Sequence, residues 1–339
     1  MIKPKMLKPG DCVATVSLSW GGAGDEEILW RYNVGKKRLE TEYGLKVIEM
    51  EHTLKGTEFV YNHPELRAKD LMDAFKNPEI KGIFSCIGGD DSIRLLPYID
   101  FEVIRNNPKI FIGYSDSTVT HLMCYKAGLI SYYGPSILAE FAENVKIFDY
   151  TNDSVYKTLF SKEVIGEIKP SSTWTSERIK WLEENKDIQK TMVPHLGYEL
   201  LQGNGVVQGK LLGGCIEVLE FAKGTELWPE INEDTILFFE TSEEMPHPDQ
   251  LLYWLRNYAI TGVLTSAKAI LFGKPCEEKY KDEYREMIIK VVKEFNIECP
   301  IVLDMCFGHN EPMHIIPYGV LAEVNCESKT FSILESGVS

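Results

Sequence analysis

One serine stands where the chain turns from a strand into a helix. In KIFIGYSDSTVTHL, an apolar run predicts a buried strand, and Ser115 follows it just before a helical pattern. A hydroxyl held in such a turn is exposed at the top of a sheet, where it can attack a carbonyl carbon, and the backbone N–H of Asp116 can stabilise the oxyanion that forms. The motif departs from G-x-S-x-G, because Ser117 stands where the second glycine would be. The same residues also fit a simple helix cap, so the local pattern leaves both interpretations open.

A nucleophilic serine needs a base and an orienting carboxylate, which can lie far away in the sequence. Glu240 ends the apolar strand in DTILFFE, and His309 lies in a glycine-containing loop just after the strand PIVLD. Each residue alone is a weak signal, since strand-end glutamates are often solvated and single histidines are often structural. His314 is a competing base in the same loop. The two histidines do not have a metal-binding spacing on a helix, so we expect no metal. We also predict no cofactor.

A second glycine turn, IGGDDS, follows the strand GIFSCI and contains Gly88 and Gly89. Parallel α/β sheets bind ligands at the carboxyl ends of their strands, where glycine backbone can approach a ligand closely. We therefore predict that Gly88 contacts a substrate. A tight turn without a ligand is the alternative explanation for these two glycines.

Strand and helix patterns alternate over residues 1–165, which predicts an N-terminal α/β domain with a parallel sheet covered by helices on both faces. Residues 166–205 are polar and rich in charge and fit neither period, so we interpret them as a linker with a substrate-facing loop. Alternation resumes over residues 206–339, with helices expected near 248–260 and 281–295. This part is predicted to be a second, mixed α/β domain that carries Glu240 and His309.

The composition indicates which partners and which cellular location to expect. With 36 Lys and Arg against 51 Asp and Glu, the formal net charge is −15, and no basic stripe suited to nucleic acid is present. The eight cysteines form no C-x-x-C pair, and several lie in apolar runs, which is typical of reduced core cysteines. No signal peptide pattern and no long apolar run occur, so we expect a cytoplasmic protein without nucleic-acid or membrane partners.

Taken together, these motifs resemble the serine LD-carboxypeptidase family, and within it the microcin C immunity peptidases. The resemblance extends over nearly the whole chain and is strongest in NNPKIFIGYSDST, the IGG turn, GGCIEVLEF, the FFET strand end and the C-terminal GH segment. It implies that Ser115 is the nucleophile, Glu240 the orienting acid and His309 the base. It also implies that the oxyanion is bound by the backbone N–H groups of Asp116 and Gly89.

The resemblance further implies a flavodoxin-like N-terminal domain, a β-rich C-terminal domain with helices, and a homodimer with its active site at the domain junction. The segment SSTWTSERIKWLEENKD resembles an extended loop of the immunity peptidases, whose tryptophan stacks on adenine. Trp181 matches that tryptophan best, and the alternative is that it packs the loop onto the body of the protein. Stacking on a flat base is a contact of roughly 1–3 kcal/mol in nucleic-acid systems.

Three functions are therefore carried forward. The leading hypothesis is a serine peptidase that cleaves the amide-type bond between an aminoacyl or peptidyl group and a nucleotide-like moiety. The alternative enzyme is a murein LD-carboxypeptidase that releases terminal D-alanine from muropeptides. A third hypothesis is a non-catalytic, two-lobed binding protein, which would be favoured if Glu240 and His309 lay far from Ser115.

Overall fold

The computed structural model describes all residues, 1–339. The strands are β1 Cys12–Val16, β2 Lys46–Glu49, β3 Ile80–Ser85, β4 Ile110–Gly113, β5 Tyr132–Tyr133, β6 Gly166–Glu167, β7 Thr173–Trp174, β8 Val193–Pro194, β9 Glu199–Gln202, β10 Val206–Cys215, β11 Thr235–Glu240, β12 Ala269–Gly273, β13 Ile301–Met305, β14 Ile316–Pro317, β15 Leu321–Asn325 and β16 Thr330–Ile333. The α-helices are α1 Leu29–Thr41, α2 Thr57–Asn62, α3 Pro64–Lys76, α4 Phe101–Asn106, α5 Ser117–Lys126, α6 Asp149–Leu159, α7 Ile216–Ala222, α8 Pro248–Ile260 and α9 Lys281–Phe295. Short 3-10 helices span Gly22–Gly24, Ser92–Tyr98, Glu183–Asn185 and Cys276–Glu278.

The first sheet has six strands in the order β14-β5-β4-β3-β1-β2. Strands β1 to β5 run parallel, in the order typical of flavodoxin-like folds. All residues of β4 and all but one of β3 are buried, as expected for strands covered by helices on both faces. The predicted N-terminal fold class is confirmed.

The second sheet has eight strands in the order β6-β16-β15-β10-β11-β12-β13-β9. Its centre, β10 to β13, is parallel, while β15, β16, β6 and β9 pair antiparallel at the two sides. Helices α8 and α9 pack against each other and match the helices expected near 248–260 and 281–295. The mixed, β-rich character of the C-terminal part is therefore confirmed.

The two sheets exchange short segments of chain. Strand β14, which comes late in the sequence, pairs with β5 and closes one edge of the first sheet. The segment 166–205 is more than the expected linker between the two domains. Its ends form β6 and β9, the two edge strands of the second sheet. Between them, β7 and β8 form a separate two-stranded ribbon. The exact domain bounds at 165 and 205 stay a prediction.

One hydrophobic core of 86 buried residues spans both sheets. At the junction, the hydroxyl of Thr118 on α5 accepts a hydrogen bond from the backbone N–H of Cys215 at the end of β10, at 3.1 Å. The Tyr318 hydroxyl donates to the carbonyl of Gly213 at 2.7 Å. These contacts hold the end of β10 in the second sheet against the start of α5, which follows β4, and against the residue that follows β14. None of the helices is both long enough and apolar enough to cross a lipid bilayer.

Candidate active site

Ser115 lies in a sharp turn between β4 and α5. Its φ is +60°, a left-handed conformation that is uncommon for any residue with a Cβ. The turn is closed by Thr118, whose backbone N–H and side-chain hydroxyl donate to the Ser115 carbonyl at 2.9 and 2.7 Å. A serine held this way between a parallel strand and a helix has the conformation of a nucleophile elbow.

The simple helix-cap interpretation of this turn does not fit Asp116. Asp116 is the N-cap residue of α5, yet its side chain makes no capping hydrogen bond. Its carboxylate instead accepts a hydrogen bond from the backbone N–H of Ser92 at 2.8 Å, and the Ser92 hydroxyl donates to the Asp116 carbonyl at 2.9 Å. Asp116 thus anchors the Ser115 turn to the segment that follows the glycine turn.

Glu240 and His309 are directly hydrogen-bonded. The Nδ1 of His309 lies 2.7 Å from Oε2 of Glu240, and the His309 backbone N–H donates to the same oxygen at 3.2 Å. The loop approaches the carboxylate this closely because Gly308 has a φ of +87° and because a Cβ on Gly308 would lie 2.5 Å from that oxygen. The Glu240 side chain is fully buried, so its carboxylate can fix the orientation of the imidazole.

Tyr133 connects this pair to the serine. Its hydroxyl donates to Oε1 of Glu240 at 2.5 Å and accepts a hydrogen bond from the backbone N–H of Ser115 at 3.1 Å. Tyr133 is a buried residue of β5 in the first sheet, whereas Glu240 ends β11 in the second. The sequence pattern did not identify Tyr133, because a buried tyrosine in a short strand has no local signature of this role.

Ser115 and His309 line the same cavity, which has a volume of about 460 Å³. The structure therefore brings together Ser115, Glu240 and His309, which are far apart in the sequence. The cavity is lined mainly by polar and charged side chains and by two tryptophans, Trp20 and Trp181. Its charged lining residues besides His309 are Arg31, Glu140, Glu177, Arg178, Lys190, Glu243 and Glu311.

A second carboxylate faces the histidine from the cavity side. Oε2 of Glu243 lies 2.8 Å from Nε2 of His309, and Glu243 is also 3.6 Å from Arg178. Burial alone would lower the pKa of His309, but the carboxylates of Glu240 and Glu243 more than offset it and raise that pKa well above its usual range. Burial opposes ionisation of Glu243, yet its hydrogen bond to His309 lowers its pKa to about 2. Sequence reasoning missed Glu243, since a charged residue in a loop after a strand is unremarkable by itself.

The glycine turn lies beside the serine. A Cβ on Gly88 would come within 2.7 Å of the Ser115 Cβ, 2.9 Å of its Oγ and 3.2 Å of the Asp116 nitrogen. Gly89 has a φ of +143° and adjoins Ser19 and Trp20. Both glycines line the cavity, and the contact of Gly88 with a substrate stays a prediction. The close approach to Ser115 involves Gly88, and the assignment of the oxyanion donors to Gly89 and Asp116 stays a prediction.

Trp181 also lines the cavity. The Arg31 guanidinium lies 4.6 Å from the centre of its ring, and the Trp20 ring lies 6.3 Å away at an interplanar angle of 26°. Trp181 is half-buried and also contacts the hydrophobic core. Lining a cavity and packing the loop are therefore both properties of this tryptophan.

The loop that carries Trp181 is joined to the His309 loop by a buried ionic cluster. The Lys190 ammonium lies 2.7 Å from Glu143 and 2.5 Å from Glu311. The backbones of Thr175 and Glu311 exchange hydrogen bonds of 2.7 and 2.8 Å. Burial raises the pKa of Glu311, although the Lys190 ammonium acts in the opposite direction. The cluster fixes the wall of the cavity next to His309.

His314, the competing histidine, does not reach this cavity. It is buried against Phe307 and Phe331, and its Nδ1 lies 3.4 Å from the carbonyl of Ile315. Burial lowers the pKa of His314 to about 4, so the imidazole is neutral at physiological pH. It is a core residue.

Known proteins are similar to this chain in sequence. The chain is 32% identical over 302 residues to the microcin C7 self-immunity protein MccF of Escherichia coli, covering 87% of this chain and 86% of that protein. It is 28% identical over 352 residues to a Bacillus subtilis (strain 168) protein called "Probable murein peptide carboxypeptidase", covering 99% of this chain and 95% of that protein.

Solved structures agree over the full length. An MccF-like protein from Streptococcus pneumoniae in complex with AMP superposes with a TM-score of 0.88, at 32% identity, covering 95% of this chain and 98% of that chain. The microcin C7 self-immunity protein MccF in complex with aspartyl sulfamoyl adenosine superposes with a TM-score of 0.87, at 28% identity, covering 100% of both chains.

Residues 13–134 match the LD-carboxypeptidase N-terminal domain, and residues 208–324 match the LD-carboxypeptidase C-terminal domain. Each matched region contains part of the site: the first includes β4 and the Ser115 turn, and the second includes β11, Glu240 and His309. The chain therefore belongs to the LD-carboxypeptidase family, a family of peptidase-like hydrolases.

Proposed function

We propose that this protein is a serine hydrolase that cleaves the amide-type bond between an aminoacyl or peptidyl group and a nucleotide-like moiety. One observation carries the proposal. The His309 imidazole is hydrogen-bonded to the buried Glu240 at 2.7 Å and opens onto the same cavity as the left-handed Ser115 turn. A nucleophile, a base and an orienting acid are thus available within one site.

In the proposed reaction, the Ser115 Oγ attacks the carbonyl carbon while Nε2 of His309 takes its proton. Glu240 holds the Nδ1–H of the imidazole and stabilises the imidazolium that forms. The backbone N–H groups of Asp116 and Gly89 bind the oxyanion. The imidazolium then protonates the leaving nitrogen, the C–N bond breaks, and water hydrolyses the acyl–Ser115 ester by the reverse proton route.

The substrate class is supported by the aromatic part of the cavity and by the relatives. Trp181 and Trp20 offer flat apolar faces on which a base can stack. Related structures contain AMP or aspartyl sulfamoyl adenosine. We therefore place the nucleotide-like moiety beside Trp181 and the scissile carbonyl beside Ser115.

A murein LD-carboxypeptidase activity is the second candidate. It is supported by the full-length similarity to the Bacillus subtilis relative named for murein peptides. The same three residues would release a terminal D-alanine, so the site chemistry does not separate the two substrates. A binding protein without catalysis has less support, because it would give no reason for the hydrogen bond between Glu240 and His309 at the Ser115 cavity.

The decisive experiment is hydrolysis of an aminoacyl-sulfamoyl adenosine and of a tetrapeptide muropeptide, followed by mass spectrometry. We expect the wild-type protein to cleave the nucleoside compound and the Ser115→Ala variant to leave it intact. Cleavage of the muropeptide alone would establish the second candidate instead. Tight binding of either compound without any product would favour the binding protein.

The homodimer implied by the family resemblance and the cytoplasmic location predicted from the sequence are further parts of the proposal. Light scattering coupled to size-exclusion chromatography tests the first, with twice the 38.6 kDa chain mass expected. Fractionation of the source cells tests the second. A monomer at all concentrations, or recovery outside the cytoplasm, would contradict them.

A further inference from the structure

Glu243 occupies the position from which His309 has to act. Its carboxylate lies 2.8 Å from Nε2, the nitrogen that would take the proton from Ser115. The Nδ1 side already faces Glu240 at 2.7 Å. An imidazole between two carboxylates is held as imidazolium, which has no lone pair with which to accept a proton. The resting arrangement is therefore unable to activate Ser115.

Glu243 is able to leave this position, whereas Glu240 is not. The Glu240 side chain is fully buried and also bonded to Tyr133, but the Glu243 side chain is 37% exposed and lies in the loop after β11. Its other charged neighbour, Arg178, is 53% exposed and 3.6 Å away. A different cation in the cavity could thus draw Glu243 away from His309.

The charges around the cavity limit what that cation can be. The Lys190 ammonium is already bonded to Glu143 and Glu311, and the Arg31 guanidinium donates to the carbonyl of Leu138 and the side chain of Asn144. Neither is free to pair with Glu243. In an aminoacyl group, by contrast, the ammonium is attached to the carbon next to the carbonyl, so it arrives with the scissile bond at Ser115.

We propose that Glu243 binds an ammonium group on the acyl half of the substrate, and that this pairing frees Nε2 of His309 to accept the proton from Ser115. The inference rests on the proposed function. When Glu243 turns to the ammonium, the proton on Nε2 passes to water, and the neutral imidazole keeps its Nδ1–H on Glu240. Glu243 thereby selects substrates with a cationic acyl group. When no such substrate is bound, it prevents proton transfer from Ser115 to His309.

The groups that face His309 are few. Glu240 faces Nδ1, Glu243 faces Nε2, and the Tyr114 ring packs edge-on at 5.1 Å. Arg178 lies farther out, and its charge helps to lower the pKa of Glu243. Burial raises the pKa of the Cys276 thiol, which is therefore uncharged at neutral pH. Glu243 is the partially exposed carboxylate in direct contact with the imidazole, so replacing it tests the effect of this one carboxylate on the protonation of His309.

The first test counts protons on binding. Calorimetric titration of the Ser115→Ala variant with glycyl-sulfamoyl adenosine, in buffers of different ionisation enthalpy at pH 7, should show release of about one proton. The N-acetylglycyl compound should release far less, and so should the glycyl compound with the Ser115→Ala, Glu243→Gln double variant. Equal proton release in all three titrations would overturn the inference.

The second test measures selectivity. In wild-type protein, kcat/KM for the glycyl compound should exceed that for the N-acetylglycyl compound by roughly 10- to 100-fold, the usual range for a charged hydrogen bond. Glu243→Gln should reduce this preference to within about threefold. Glu286→Gln removes the same charge from an exposed position on α9 and should keep the preference.

An N-acetyl-lysyl compound distinguishes the source of the ammonium: recovered activity assigns it to a side chain, and no recovery assigns it to the α-amine.

The outcomes separate the two proposals. If wild type hydrolyses the glycyl and N-acetylglycyl compounds equally well, or Glu243→Gln keeps the full preference, the role of Glu243 is wrong and the proposed function stands. If wild type hydrolyses neither compound and Ser115→Ala binds neither, the proposed function itself fails.

Discussion

The guanidinium of Arg31 lies 4.6 Å from the centre of the Trp181 ring. Arg31 is buried and held by the carbonyl of Leu138 and the side chain of Asn144, so it presents a fixed cation to the indole. Cation–π contacts with Arg contribute about 0.5–2 kcal/mol, depending on how far the pair is desolvated. Trp181 is thereby positioned at the cavity before any substrate binds.

Replacing Trp181 with alanine should weaken hydrolysis of an aminoacyl-sulfamoyl adenosine by roughly 1–3 kcal/mol in transition-state stabilisation, because a base loses its stacking partner. Muropeptide cleavage should change little, since a D-alanyl peptide has no flat π face. The ratio of the two kcat/KM values is the measurement. An equal loss of both activities, or a lower melting temperature alone, would make Trp181 a packing residue.

Replacing Ser115 with alanine or glycine should abolish turnover without unfolding the protein. Because Ser115 has a φ of +60°, glycine adopts the turn more readily than alanine, for which the left-handed region costs roughly 1–2 kcal/mol. We therefore expect the glycine variant to be the more stable of the two by thermal unfolding. Residual wild-type activity in either variant would contradict the assignment of the nucleophile.

Removing the base or the orienting acid should severely reduce activity, and the reduction should be smaller for the acid. His309→Ala removes the proton carrier, whereas Glu240→Ala removes the group that orients it. Glu240→Ala should also destabilise the fold by about 1–3 kcal/mol, because Tyr133 and the His309 backbone lose a buried acceptor. Kinetics and denaturant unfolding should be measured together. Full activity of His309→Ala would mean that another group takes the proton.

The pH dependence of activity should show how the carboxylates of Glu240 and Glu243 raise the pKa of His309. His309 must be neutral to act as a base, and its pKa is raised well above 6.5, so kcat/KM should increase with pH through that raised value. A carboxylate favours the protonated imidazole, so removing one lowers the pKa. The rising limb should therefore move to lower pH in Glu243→Gln and stay in place in Glu286→Gln. A limb that does not move in Glu243→Gln would show that the contact with Nε2 is absent in solution.

The ionic cluster that holds the Trp181 loop should matter for stability. Lys190, Glu143 and Glu311 are at most 13% exposed, and removing one partner from a buried ionic group costs about 3–5 kcal/mol. Lys190→Met should therefore lower the free energy of unfolding and loosen the cavity wall. Lys186→Met is the matched control, because its pair with Glu183 is exposed and should change stability by less than about 0.5 kcal/mol. Equal effects of the two substitutions would exclude the anchoring role.

The sequence by itself determined the parts of this protein that depend on neighbouring residues. Apolar runs and helical periods predicted both α/β regions, and they placed Ser115 at a strand-to-helix turn and Glu240 at the end of a buried strand. These patterns are informative because burial and backbone preference repeat over a few consecutive residues. The motifs also indicated the LD-carboxypeptidase family.

Only the tertiary structure decided which distant side chains meet. Tyr133 joins Ser115 to Glu240, Glu243 faces His309, and β14 pairs across to the first sheet. It also separated His309 from His314, two histidines that look equivalent in the sequence. Such contacts depend on how the two sheets pack and on the rotamer that each side chain adopts. Neither property produces a periodic pattern in the neighbouring sequence.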